Sequence, residues 1–256
     1  MTTAVKKMRK GASRSAANLY YSLTSRFGGD DLVFLNLGYE EDPPMELPLG
    51  ASDVPNKIFI QMYHAAAIQS GGLKGKRVLE VSCGHGGGAS YLMRTQHPES
   101  YTGLDLNREG IKYCRRRHQF PNVDFVEGSA DDLPFRDDSF DAVVNVEAAD
   151  HYPRYTEFLQ EVSRVLQPGG HFLYTDLRAR EDVEAWEADV ANCPMTVLSQ
   201  RVINREVARG LEINTPRLQK LNARFVPGPL SNLTFSKVCQ NLIDEDSSYR
   251  MYCMQA

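Results

Sequence analysis

Glu80, Gly84, Gly86, Asp105 and the pair Asp150-His151 are the residues of this chain whose types and spacing suit chemistry. Glu80 precedes Cys83-Gly84-His85-Gly86-Gly87-Gly88-Ala89, a run in which the backbone can turn sharply and present main-chain N–H groups to a ligand. Gly84-x-Gly86-x-x-Ala89 satisfies the dinucleotide fingerprint in its Gly/Ala form. No Gly-Lys-Ser/Thr follows, which argues against a phosphate-binding P-loop. Asp105 stands where a carboxylate can accept both hydroxyls of a ribose, and Leu106 is placed to lie against the attached base. His151 is the candidate general base, with Asp150 beside it to orient the ring.

Glu80 separates two cofactors. An anion four residues before the first glycine repels a pyrophosphate but suits the sulfonium and amino groups of S-adenosylmethionine. A methyl donor is therefore expected rather than NAD, and a hydride-transferring oxidoreductase is the competing reading.

These groups need elements to hold them. Val78, Leu79 and Val81 make a continuous apolar run, as in a strand covered on both faces, and Ala89, Leu92 and Met93 begin a helical spacing. Further strands are expected at 101–107, 123–126, 139–147, 171–176 and 248–254, and helices at 56–69, 108–118 and 155–166. The alternation from 78 to 176 predicts a doubly wound, mostly parallel Rossmann-like α/β sheet, of seven strands in all. Residues 177–240 read as mostly helical, with Trp186, Val190, Val197, Leu198, Ile203, Val207 and Leu211 as apolar anchors. The expected organisation is a lid segment over 1–70 and a cofactor domain over 71–256, with a helical cap at about 177–240 inserted before the last strand.

Composition narrows the class. A net charge of −4 over 256 residues argues against a broad nucleic-acid surface. No run of 18 apolar residues occurs, and the five cysteines, with no C-x-x-C pair, suit a reduced, cytoplasmic protein without a metal site. Lys6, Lys7, Arg9, Lys10, Arg14 and Arg26 precede the first acid, Asp30. That stretch reads either as a solvated terminus or as a helix over 13–26 that covers the site or touches an anionic membrane surface. Asp42-Pro43-Pro44 looks like the signature of amino-methyltransferases acting on bases, but Met45 follows where an aromatic is needed, so the match is coincidental.

Together, the glycine run, Asp105, Leu133-Pro134-Phe135 and Leu166-Gln167-Pro168-Gly169-Gly170 resemble class I S-adenosylmethionine-dependent methyltransferases. More narrowly, 39–45, 80–92 and 248–253 look like the phthiotriol/phenolphthiotriol dimycocerosates methyltransferases, which O-methylate a hydroxyl of very apolar lipids. The resemblance implies that Glu80, Gly84 and Gly86 line the methionine end, Asp105 the ribose, and Leu106, Ser129 and Ala130 the adenine. Ser82, Cys83, His85 and Asn145 complete the expected cofactor contacts. Tyr20, Tyr39, Glu147, Tyr152 and Trp186 are the candidates for the acceptor side. Three positions depart from the pattern. Ser82 replaces a glycine, Ser129 an aspartate, and Asp150 an expected histidine position before a non-acidic residue. The expected activity is methyl transfer to a hydroxyl of an apolar lipid, polyketide or glycolipid-type acceptor. C-methylation of an isoprenoid or sterol, and a catalytically inert cofactor-binding partner protein, are the alternatives.

Overall fold

The computed structural model describes residues 32–222 and 230–256. Tyr20, the expected helix at 13–26 and the basic run before Asp30 lie outside the described residues. Among the described residues, besides three short 3-10 turns, seven α-helices and seven strands follow one another. They are α1 (Lys57–Ile68), β1 (Arg77–Val81), α2 (Gly87–Gln96), β2 (Ser100–Asp105), α3 (Arg108–Arg117), β3 (Val123–Glu127) and β4 (Phe140–Val146), then α4 (Tyr155–Val165), β5 (Leu166–Ala179), α5 (Val183–Ala191), β6 (Thr196–Val202), α6 (Asn204–Asn222), α7 (Leu230–Ile243) and β7 (Ser247–Gln255).

The strands form one sheet in the order β3-β2-β1-β4-β5-β7-β6. β1 to β5 run parallel, and β7 inserts antiparallel between β5 and β6. Adjacent strand residues serve opposite faces, which is why the strands carry unbroken apolar runs. Val78, Val144 and Leu173 pack on one face with α1, α2 and α6. Leu79, Val143 and Phe172 pack on the other with α4 and α5. The strand order reverses between β1 and β4, and this switch point opens the crevice beyond their C-terminal ends.

The stretch expected to be mostly helical holds the seventh strand. Thr196–Val202 pairs antiparallel with β7, from Thr196 opposite Gln255 to Val202 opposite Arg250, and all seven of its residues are exposed. With neither face covered, no burial period marks it in the sequence, so Val197 and Leu198 read as helix anchors when they sit on an edge strand. β5 is also longer than expected at both ends. Leu166 pairs with Phe140 before a register shift, and Leu177–Ala179 continue along β7.

The segment before residue 70 shares the core of the rest. Phe34, Tyr39, Phe59, Ile60 and Met62 belong to the same buried cluster as Tyr249 and Met251. Among the described residues, no helix is long and apolar enough to cross a membrane.

Candidate functional site

The turn after β1 is built on left-handed residues, Ser82 at φ +59°, Gly84 at +56° and Gly86 at +73°. Glycine adopts this conformation without cost, whereas an L-residue is strained by its Cβ. Cys83 ties the turn to β2 by donating its N–H to Leu104 at 2.9 Å, and Cys114 donates its thiol to the Gly84 carbonyl at 3.3 Å.

Glu80 lies beneath this turn and is 1% exposed. Tyr63 and Tyr101 donate their hydroxyls to it at 2.9 and 2.8 Å, and the Ala89 N–H of α2 adds a third donor. Burial still dominates, pushing its carboxyl up to about 7. The same tyrosine explains Gly88, because a Cβ there would stand 2.1 Å from the Tyr63 ring. Glu80 therefore fastens the turn from below.

Asp105 bridges two backbone segments, accepting from Gly84 N–H and from Asn107 N–H, each at 2.8 Å. Asn107, not Asp105, caps α3, accepting from Glu109 and Gly110 N–H at 3.2 and 3.3 Å. Leu106 beside it is 66% exposed at the rim of the crevice. Gly128 N–H donates to the Asp105 carbonyl at 3.1 Å, which draws Ser129 and Ala130 to the same rim. Ser129 bonds Asp131, whose other oxygen accepts from Arg154 at 2.7 Å. His85 is turned elsewhere. It is 3% exposed, its Nδ1 meets the Leu32 carbonyl at 2.5 Å, and its own carbonyl meets His118 Nε2 at 2.8 Å.

On the β4 side, Asn145 is fully buried and donates its amide to the Val81 carbonyl at 2.9 Å and to the Tyr152 hydroxyl at 3.0 Å. Its Oδ1 has no partner among the described residues. Tyr152 also meets Ser82 Oγ at 2.5 Å, so it lies between the two loops.

Glu147, at φ +53°, accepts from Leu37 N–H at 2.9 Å and from the Tyr249 hydroxyl at 2.6 Å. Burial raises its carboxyl to about 8, and Asp176 nearby adds to the effect. Asp176 is itself buried, accepting from Tyr174 at 3.1 Å and pairing with Arg178 at 3.0 Å. Asp150 and His151 occupy the short turn Ala149–His151, with His151 Nδ1 3.5 Å from Asp150 Oδ1. Solvent reaches about a third of the Asp150 side chain, and protein packs around the rest. Crowding, then the charges of Asp176 and Glu147, push it well above the carboxylate range, while Arg178 opposes them.

Trp186 and Tyr39 hold structure together. Trp186 is 2% exposed, donates to the Tyr155 hydroxyl at 2.9 Å, and stacks under the Arg178 guanidinium at 4.7 Å. Tyr39 is fully buried and donates to Glu41 at 2.8 Å. Asp176, Arg178 and Tyr249 were missed as site residues from the sequence. The faint signal was Asp176, an acid closing the apolar run of β5 as Asp105 closes that of β2. Among the described residues no group of three His, Cys, Asp or Glu side chains could hold a metal ion.

Residues 79–174 match a family model described as a methyltransferase domain. Over 249 residues the chain is 51% identical to the fatty-acid O-methyltransferase of Mycolicibacterium smegmatis, covering 95% of this chain and 90% of the relative. Over 241 residues it is 53% identical to the phthiotriol/phenolphthiotriol dimycocerosates methyltransferase of Mycobacterium tuberculosis, covering 91% and 89%. The geranyl diphosphate C-methyltransferase of Streptomyces coelicolor, solved with Mg2+, geranyl diphosphate and S-adenosyl-L-homocysteine, superposes with a TM-score of 0.66 at 13% identity over 93% and 97% of the two chains. At that identity the likeness is one of fold.

Proposed function

Because this chain belongs to the class I S-adenosylmethionine-dependent methyltransferases, we propose that it methylates a neutral hydroxyl on an apolar lipid, with His151 as the base. The cofactor is S-adenosylmethionine, which supplies a methyl carbon already activated by a sulfonium. The residues present fit it. Asn145 Oδ1 is a buried acceptor with no partner among the described residues, suited to an ammonium group, and the Gly86 end of α2 has no side-chain cap. Asp105 and the exposed Leu106 suit a ribose and an adenine face.

The acids acting on Asp150, the neighbour of His151, carry the reading of the acceptor. Glu147, Asp150 and Asp176 crowd one another, and the guanidinium facing them, Arg178, is already paired with Asp176. A carboxylate acceptor would add a further negative charge beside Glu147 and Asp150, whose ionisation burial and neighbouring charge already disfavour. A neutral hydroxyl adds no charge there. His151 would take the hydroxyl proton during attack, and Asp150 would favour the imidazolium that results. The two relatives' names differ on this point, one specifying a fatty acid and the other a triol-derived lipid. The reading follows the second.

Supports for an enclosed acceptor site come from the lid. Leu35 lies over Gly84, Leu37 is latched to Glu147, and the Gly38-Tyr39 backbone presses on Gly210 of α6. In this reading residues 32–70 and 177–222 cover the crevice. The test is direct. The purified protein with labelled S-adenosylmethionine is offered a long-chain secondary alcohol and the fatty acid of equal length, and products are identified by mass. Label in the ether but not the ester is expected. Selective ester formation would overturn the hydroxyl assignment.

A further inference from the structure

The Ser82, Asn145 and Tyr152 side chains form a chain of hydrogen bonds. The Asn145 amide must aim its NH2 at the Val81 carbonyl, since the reverse setting would face two oxygens at 2.9 Å. The second amide proton then goes to the Tyr152 oxygen at 3.0 Å. Ser82 Oγ and the Tyr152 hydroxyl lie 2.5 Å apart, and either oxygen can donate. The tyrosine ring is fixed edge-on against Phe158, with centroids 4.8 Å apart, and burial holds the hydroxyl protonated.

Ser82 is the left-handed residue at the point where the superfamily pattern has glycine. A side chain there costs on the order of 1 kcal/mol of backbone strain, which the glycine would avoid. Its position is thus held against an intrinsic tendency to relax, and Tyr152 supplies the hold. Tyr152 also ends the turn that carries Asp150 and His151, one residue beyond the base.

We propose that Tyr152 is a positioning residue for the cofactor: its hydroxyl clamps Ser82 in the left-handed turn and so sets the cofactor loop relative to the loop bearing His151. This replaces its expected role as an acceptor contact, and it rests on the cofactor assignment alone, not on the identity of the acceptor.

The test is a double-mutant cycle read by calorimetric titration with S-adenosylhomocysteine. Tyr152→Phe keeps the ring and its packing on Phe158 while removing the clamp. Ser82→Ala keeps the Cβ and removes the hydroxyl that Tyr152 bonds. Each single variant is expected to weaken binding about tenfold, the effect of losing one buried hydrogen bond, and the double variant should be no weaker than either single one. Melting temperatures without ligand serve as the folding control. Losses that multiply in the double variant would overturn the proposal, because the two side chains would then act independently. So would unchanged affinity in Tyr152→Phe. If Tyr152→Phe does not fold, Ser82→Ala at unaltered affinity suffices to reject the clamp.

Discussion

On the β1–β2 side of the crevice, functional groups are held by nearby backbone. Asp105 rests on Gly84 and Asn107 N–H groups, and the turn it supports is fixed by Cys83 N–H on Leu104. On the β4–β5 side, side chains hold one another across the whole chain. Glu147 takes its partners from Leu37 and Tyr249, and Asp176 is matched by Arg178 stacked on Trp186. Backbone donors make a rigid and general receptor for a common cofactor. Networks of carboxylates, phenols and a guanidinium shift one another's proton affinities, and can be retuned for each acceptor without disturbing the receptor.

The largest expected effect breaks the acceptor side alone. His151→Ala should lower turnover by roughly 10²–10⁴-fold while S-adenosylhomocysteine affinity stays at the wild-type value. The wild-type rate should also fall on acidification, because a protonated imidazole cannot accept the hydroxyl proton. Turnover above about a third of wild type would leave His151 a structural residue. Next in size, Asp105→Ala should break the cofactor side alone. Two backbone donors lose their acceptor together with the ribose contact, so affinity measured by calorimetry should drop about 100-fold, on the order of 3 kcal/mol. Retained affinity would sink the ribose assignment.

Gly88→Ala tests whether the cofactor turn is sterically determined from beneath. The added methyl meets the Tyr63 ring, and overpacking of about 1–3 kcal/mol should lower the melting temperature by several degrees. An unchanged melting curve would show that the tyrosine gives way freely. The smallest effect sharpens the contrast through pH. Glu147 has its folded-state proton affinity raised to about 8, so the native state binds that proton more tightly than the unfolded chain does. Stability contributed by the neutral form is present at low pH and is lost as pH rises from the ordinary carboxylate range through about 8. Glu147→Gln should therefore melt near wild type at about pH 5 and above it at about pH 9. A pH-independent difference would contradict this origin.

The same contrast decided what could be read from the sequence. β1, its glycine turn and Asp105 are specified by neighbours within about thirty residues, and strand period, turn residues and acid spacing all report on them. Asp150 and His151 were legible as a pair because they are adjacent. Their electrostatic partners were not, since Asp176 and Arg178 come from another strand. Trp186 illustrates the limit. A tryptophan in a presumed cap suggests an acceptor wall, but its indole is committed to Tyr155 and Arg178. β6 escaped for a different reason, having no buried face to impose a period.

The placement of β7 has a consequence for biosynthesis. Its residues, 247–255, separate β5 from β6 in the sheet although they follow both in the chain. As the chain emerges from the ribosome, Leu166–Ala179 presents an open hydrogen-bonding edge until these residues arrive, through the synthesis of α5, β6, α6 and α7. That edge includes Phe172, Leu173 and Tyr174, all fully buried once the sheet closes. Nascent chains halted before Ser247 should be the aggregation-prone species, and they should be the clients that chaperones hold.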